Sequence, residues 1–242
     1  MINNILKKFG LVLSKYRDLN YIAEINSEEE SLIKLCLKYS MTTRIRMWSL
    51  LNSINYISRH GIQGDFVECG VWKGGNLILF SKLNDKLKLK KNIFGFDTFT
   101  GMPKPGKFDF KYSTGQHANK YYNINKKKRS NWNEISLGEV KNNLIYENSI
   151  SSIKLIKGKV ENTLRDINNL PKKISILRLD TDFYSSSKVE LEVLYPKLVK
   201  NGILFLDDYG SMSGQRKAVD EYFKVKPFMF HVDKSSRIII KK

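Results

Sequence analysis

Gly64-Asp65-Phe66-Val67-Glu68-Cys69-Gly70-Val71-Trp72-Lys73-Gly74-Gly75-Asn76 is the stretch that decides how this chain folds. It opens as an apolar strand and runs straight into a glycine-rich turn, and the residues from about Asn76 to Leu89 carry a helical pattern. Glycines let backbone approach a ligand closely and leave amides exposed at the helix N-terminus. The spacing is neither the dinucleotide fingerprint nor a phosphate loop closed by Lys-Ser/Thr. Glu68 narrows the choice, because a carboxylate beside the turn receives an ammonium or hydroxyl and disfavours phosphate. The next strand, Asn92 to Phe96, ends in Asp97, whose carboxylate can accept hydrogen bonds from both hydroxyls of a ribose. A ligand with a ribose, a cationic end and no phosphate satisfies both acids, which points to S-adenosylmethionine.

Two acidic clusters lie further on, Leu179-Asp180-Thr181-Asp182 and Leu206-Asp207-Asp208-Tyr209, each closing a short apolar run. The runs Ile174 to Leu179 and Ile203 to Leu206 read as buried strands, with a helical pattern from Ser185 to Lys200 between them. In a strand–helix–strand unit the two strands lie parallel, so both acidic ends emerge at one edge of the sheet. Carboxylates gathered there repel one another unless a cation sits among them, and a hard divalent ion suits oxygen ligands. The competing reading is that these acids cap the helices that follow.

Strands at 65–69, 92–96, 153–157, 174–179 and 203–206, with helices between most of them, predict a mostly parallel sheet covered on both faces. Helical patterns at Glu28 to Tyr39 and Thr42 to His60 precede it, and Phe228 to Val232 with Arg237 to Ile240 reads as a terminal hairpin. Residues 1–60 are thus expected to form a helical extension on a core domain of residues 61–242. The interval from about 102 to 133 breaks the rhythm; it is rich in Gly, Lys, Asn and aromatics, including Tyr112, His117, Tyr121, Tyr122 and Trp132. So long a structureless stretch in a compact domain reads as a substrate-covering lid or as a mobile insertion.

Several segments carry a family resemblance. Val67 to Gly75, Asp97-Thr98-Phe99-Thr100-Gly101-Met102-Pro103, Leu179 to Ser186, Leu194 to Leu198, and Asp207 to Gly210 through Ala218 to Tyr222 occur in the order of the macrocin and mycinamicin sugar O-methyltransferases. That group is metal-dependent and also includes a novobiocin-pathway enzyme. The resemblance covers about Thr42 to Tyr222 and implies an α/β, Rossmann-like class I methyltransferase fold. Its sheet would have seven strands, mostly parallel, with an antiparallel C-terminal strand. The implied reaction is transfer of a methyl group from S-adenosylmethionine to a sugar hydroxyl, assisted by a divalent metal, with magnesium expected.

The same resemblance implies Asp180, Asp207 and Asp208 as metal ligands, with Asp182 as a reserve ligand or proton acceptor. Glu68 and Gly70 would face the methionine portion, with Val71, Trp72, Gly74, Gly75 and Asn76 completing the turn. Asp97, Thr98 and Phe99 would meet the ribose, and Lys157-Gly158 the adenine. His117 is the candidate general base, since His60 and His231 fall on structural elements. Trp72 and Cys69 also read as packing residues. A phenolic or catechol-type O-methyltransferase, or a non-catalytic scaffold of the same fold, are the alternatives.

Composition fits a single α/β enzyme domain of 242 residues with 41% hydrophobic content. Two cysteines, Cys36 and Cys69, form neither a disulfide framework nor a zinc site and fit a reducing, cytoplasmic setting. No apolar run reaches the length of a membrane span. Met1 to Tyr16 is a short amphipathic candidate for weak peripheral membrane contact. The net charge of +18 invites a nucleic-acid reading. Lysine is spread along the whole chain, however, and no RNA-binding module surrounds the densest run, Lys126-Lys127-Lys128-Arg129. An acidic glycan or nucleotide-sugar acceptor is another use for that charge, and a homo-oligomer is plausible.

Overall fold

The computed structural model describes residues 2–10, 22–127 and 132–242. Seven strands form one sheet: β1 (Asp65–Cys69), β2 (Ile93–Asp97), β3 (Ile153–Lys157), β4 (Ile174–Leu179), β5 (Leu198–Leu206), β6 (Phe230–His231) and β7 (Arg237–Ile240). The spatial order is β3-β2-β1-β4-β5-β7-β6, parallel throughout except where β7 pairs with β5 and β6. This is the Rossmann-like methyltransferase sheet expected from the sequence. The order reverses at β1, so β2 and β4 leave it on opposite sides and open a crevice beyond their C-terminal ends.

The helices are α1 (Ile2–Lys7), α2 (Ser27–Leu37), α3 (Arg44–Arg59), α4 (Gly75–Lys86), α5 (Asn119–Lys127), α6 (Leu137–Tyr146), α7 (Val160–Thr163), α8 (Tyr184–Leu194) and α9 (Ser213–Tyr222). Successive strand residues point to opposite faces, and two cores follow from that alternation. Phe66, Ile93, Ile176, Ile203 and Phe205 pack with α2, α3 and α4, through Ile33, Met47, Leu51, Ile54 and Phe80. Val67, Phe96, Leu177, Leu179 and Leu204 pack on the other face with α7, α8 and α9, through Val160, Leu191, Leu194 and Val219. Helices α2 and α3 therefore share a core with the sheet.

Three expectations need correction. The helix read over Ser185 to Lys200 stops at Leu194; Pro196, which has no N–H to donate, sits in a single 3-10 turn at Tyr195–Lys197. β5 consequently starts at Leu198, and its early end is irregular, with Asn201 at φ 62° between the pairs Ile174–Leu198 and Ile176–Ile203. In the terminal hairpin only Phe230 and His231 are strand, fewer than Phe228 to Val232. The interval 102–133 is not structureless. It contains α5 and short bridges Phe110–His117 and Lys111–Met212. Of the N-terminal amphipathic segment, residues 11–16 lie outside the described residues, as do the side chains of the basic run Lys126 to Arg129.

Asp109 fixes the insertion to the core. It is buried, accepts from the Gly106 N–H at 2.6 Å, and accepts from the Tyr184 N–H at 2.9 Å, so it caps α8, which lacks a cap of its own. A Cβ at Gly214 would fall 1.9 Å from its Oδ1, which lets α9 press against the same carboxylate only because residue 214 is glycine.

α2 meets the glycine turn equally closely. Gly75 donates to the Tyr39 carbonyl at 2.9 Å, and a Cβ there would stand 2.5 Å from the Cys36 carbonyl. Gly75→Ala is expected to cost about 2–3 kcal/mol, since backbone must move to admit the methyl group. The urea midpoint should fall accordingly, without a change in the slope of the transition.

Candidate functional site

The glycine turn after β1 is held by Asp97 at the end of the neighbouring strand. Asp97 Oδ2 accepts from the Val71 and Trp72 amides at 2.8 and 3.1 Å, and Oδ1 accepts from Phe99 N at 2.9 Å and Thr98 Oγ1 at 3.4 Å. Trp72 and Phe99 have φ of 47° and 50°, left-handed conformations that these bonds stabilise. Asp97 lines the cavity described below, and both of its oxygens already accept from backbone amides. It braces the loops around the expected ribose position, and a ribose would have to compete for it. Gly70, at φ 89°, lies where β1 and β4 part: a Cβ would sit 2.0 Å from the Asp180 carbonyl.

Beneath the turn lies a buried ion network. Arg178, in the all-buried strand β4, donates through Nη1 to Glu68 Oε1 and Asp180 Oδ2, and through Nη2 to Asp207 Oδ1, each at 2.7 Å. Arg46, in the first turn of α3, donates to Asp207 Oδ2 at 2.6 Å and to Asp233 Oδ2 at 2.7 Å. Glu68 also accepts from Asn76 Nδ2 at 2.7 Å. Burial pushes Glu68 up to about 7 although Arg178 and Asn76 pull the other way. Glu68 is fully buried and does not line the cavity; it lies behind Asn76, which does.

One carboxylate oxygen each from Asp180, Asp207 and Asp208 lie within 4.8 Å of one another. Burial raises Asp180 well above the ordinary carboxylate value, and Asp207 and Asp208 add to this against the opposing effect of Arg178. Its side chain keeps 31% exposure, so it lies deep in the protein yet open to the cavity. Asp208 is likewise raised by burial and by the charges of Asp182 and Asp207. Asp208 Oδ1 accepts from Ser211 Oγ at 2.9 Å, whereas Oδ2 is buried without a partner among the described residues. Asp182 is pushed up to about 6 by burial, and its backbone is strained at φ 65°. It does not cap α8, as Asp109 does so.

These groups surround a cavity of about 480 Å³. Gly70, Val71, Trp72, Asn76, Asp97, Thr98 and Gly158 line one part, and Asp180, Asp182, Asp207 and Asp208 line another. Gly74, Gly75, Phe99 and Lys157 do not line it. Gly74 packs on Val140 and Leu144, Gly75 on α2, Phe99 is buried, and the Lys157 side chain is exposed. His117 also lies outside the lining: its Nε2 is 2.9 Å from the Gly106 carbonyl, and Nδ1 accepts from Asn119 N at 3.1 Å. Both ring nitrogens are engaged in bracing the insertion, which does not suit a general base.

Four residues at or around the site escaped the sequence reading: Arg46, Lys111, Asp109 and Arg178. Arg178 alone had a visible signal, a lone charge inside an otherwise buried strand, which implies buried partners. Arg46 and Lys111 reach the cavity from a distant helix and from the insertion.

The donor set fits two absent groups. Carboxylates converging on one spot, with one orphaned oxygen on Asp208, suit a hard divalent cation. Asn76 Oδ1 and Glu68 Oε2 are buried acceptors with no partner among the described residues, which suits a cationic ligand end near the glycine turn.

Comparison with known proteins shows the family and the fold. The profile of the family described as Macrocin-O-methyltransferase (TylF) matches residues 26–237. The chain is 26% identical over 211 residues to the demethyldecarbamoylnovobiocin O-methyltransferase of Streptomyces niveus, covering 86% of this chain and 75% of that one. It is 25% identical over 186 residues to the 8-demethyl-8-(2,3-dimethoxy-alpha-L-rhamnosyl)-tetracenomycin-C 4'-O-methyltransferase of Streptomyces olivaceus, with coverage of 76% and 67%. The solved structure of the O-methyltransferase NovP is similar in fold, with a TM-score of 0.72 at 23% identity, covering 84% of this chain and 82% of that one.

Two outcomes follow from the buried charges. Arg178→Met should destabilise the protein by about 3–5 kcal/mol in denaturant titrations, because three carboxylates lose their shared cation. Glu190, fully buried beside Thr181, is pushed up by burial to about 8 from an ordinary 4.5. Between those values the native state holds a proton that the unfolded chain has released, so its contribution to stability is lost as pH rises. Glu190→Gln should therefore gain on the parent from pH 5 to pH 8.5 by at least about 1 kcal/mol, or about 2–4 °C in Tm.

Proposed function

Because the chain belongs to the macrocin O-methyltransferase family, we propose that this S-adenosylmethionine-dependent O-methyltransferase methylates a sugar hydroxyl with the help of a divalent metal, magnesium being the expected ion. The single observation that carries the reading is the convergence of Asp180, Asp207 and Asp208 on the cavity that the glycine turn also lines. The rhamnosyl group in the name of the Streptomyces olivaceus relative supports a sugar as acceptor.

In-line methyl transfer needs a nucleophilic oxygen held close to the methyl carbon, and proximity alone can supply a large part of the rate. S-adenosylmethionine supplies an electrophilic methyl group on a sulfonium. Asn76, with Glu68 behind it, offers acceptor atoms to the ammonium end, while Trp72, Thr98 and Gly158 flank the adenosyl portion. Asp97 keeps the two loops at the spacing that portion requires.

Asp180, Asp207 and Asp208 would hold the cation, whose chemistry is to acidify and orient a coordinated hydroxyl. Arg178 and Arg46 aim the Asp180 and Asp207 carboxylates, and Gln215 fixes Asp208 by accepting from its N–H at 2.8 Å. Asp182 lines the cavity beside them and is the proton acceptor for the sugar hydroxyl. Burial raises it above an ordinary carboxylate, which strengthens it as a base. From the insertion, Met102, Lys111 and Trp132 line the cavity and border the acceptor side. Buried free cysteines fit a cytoplasmic place for the reaction.

The test is methyl transfer from S-adenosylmethionine to a panel of glycans, nucleotide-sugars and catechols, with and without chelator. Sugar acceptors should be methylated and catechols should not. EDTA, Asp180→Asn and Asp208→Asn should each lower the rate at least about 100-fold. Binding of adenosylhomocysteine should stay within about threefold of the parent. Full activity in EDTA and in Asp208→Asn would remove the metal from the reading, and exclusive activity on catechols would remove the sugar.

A further inference from the structure

Lys111 is a cation lining the reaction cavity with no direct acceptor among the described residues. Its Nζ makes no hydrogen bond or ion pair with them. The ammonium stands 4.0 Å from the ring centre of Tyr121 and 5.2 Å from that of Trp132. Aromatic faces hold a cation in place, yet they offer nothing for its three N–H donors, which need oxygen acceptors.

The position is fixed by the backbone. Lys111 N donates to the Gln116 carbonyl at 3.0 Å, and Gly115 N donates back to the Lys111 carbonyl at 2.8 Å. Tyr112 N donates to the Ser211 carbonyl at 2.9 Å, and Lys111 bridges to Met212. Ser211 is bonded in turn to Asp208, so the ammonium is held in register with the aspartate cluster. Its field reaches Asp182 without contact. Arg46, which also lines the cavity, is committed to Asp207 and Asp233.

We propose that Lys111 is the specificity-determining residue for the acceptor, selecting a sugar that carries an anionic oxygen group, either carboxylate or phosphate, near the hydroxyl to be methylated. This rests on the sugar O-methyltransferase reading above. The anionic group accepts hydrogen bonds from the ammonium, and Tyr121 and Trp132 keep the lysine stem extended toward it. Without such a group on the acceptor, the ammonium has only solvent to satisfy its three donors. Lys111 is thereby a positioning group that fixes the sugar against the aspartates.

The experiment compares the parent, Lys111→Met and Lys111→Arg in the presence of adenosylhomocysteine. Binding is measured by calorimetry for methyl β-D-glucoside, methyl β-D-glucuronide and glucose 1-phosphate, which separates carboxylate from phosphate. Methyl transfer to the same probes gives KM and kcat. The parent should bind at least one anionic probe about tenfold or more tightly than the neutral glucoside. Lys111→Met, which retains the stem packing, should lose that preference while its affinity for the glucoside stays within about twofold, and Lys111→Arg should keep most of it. KM should carry the effect, with kcat changed little. A parent with no preference for either anion overturns the proposal. So does a Lys111→Met variant whose loss is equal for neutral and anionic probes, or lies in kcat alone, which would mark a purely electrostatic role beside Asp182. A parent that binds anionic probes through Lys111 and methylates none of the sugars leaves Lys111 as an anion-binding residue only and overturns its role in acceptor choice together with the sugar-methylation reading.

Discussion

The architecture of the site depends on one buried guanidinium. Arg178 is 1% exposed, and it joins three strands that approach one another at their C-terminal ends, through Glu68 on β1, Asp180 just beyond β4 and Asp207 just beyond β5. Three carboxylates in such a volume would otherwise take up protons or push the strand ends apart. A cation placed inside the sheet lets them remain close and sets which oxygens are left for a ligand. Arg46 completes the arrangement from α3 by taking the second oxygen of Asp207 and tying it to Asp233 of the terminal hairpin. The helices ahead of the sheet thus contribute to the chemistry of the site as well as to its core.

A second constraint is backbone geometry. The turn after β1 needs left-handed residues, and Asp97 supplies the hydrogen bonds that hold Trp72 and Phe99 there. Gly70 passes so close to the Asp180 carbonyl that no side chain fits between them. The glycine turn and the end of β4 are accordingly a single packed unit, and a shift in one is transmitted to the other. Asp109 does the same for the insertion: by capping α8 and resting against Gly214 it ties the segment around residue 109 to the helices that follow both acidic clusters. What reads as a loose cover in the sequence is anchored at its base.

The sheet was legible because apolar runs of five or six residues alternate with helical periods, and a strand buried on both faces has that signature. The acids at the strand ends were legible for the same reason: strand, acid and helix follow in fixed order. The error at Leu194 to Leu198 arose because the apolar pattern continues through Pro196, and only the pairing of β5 with β4 shows where helix gives way to strand. Roles were harder to read than positions. Glu68 and Asp97 stand where expected, yet Glu68 Oε1 is taken by Arg178 and Asn76 and both Asp97 oxygens accept from backbone amides, partners that come together only in three dimensions. His117 drew attention as an ionisable group in an insertion, and it proves to be hydrogen-bonded into that insertion at both nitrogens.

The overall charge of +18 and the acidity of the cavity belong to different parts of the molecule. Basic side chains dominate the sequence, while Asp180, Asp182, Asp207 and Asp208 concentrate negative charge at one end of the cavity. Surface lysines raise the local concentration of anions over distances of about a Debye length, roughly 8 Å at physiological salt, and do so without selectivity. Selectivity requires a charge that is desolvated and fixed. Among the cationic residues lining the cavity, Arg46 is fixed but paired, and Lys159 is exposed to solvent. Lys111 is partly buried, held by aromatic rings and tied through Ser211 to Asp208, so it is the one placed to convert a diffuse attraction for anions into a choice among acceptors.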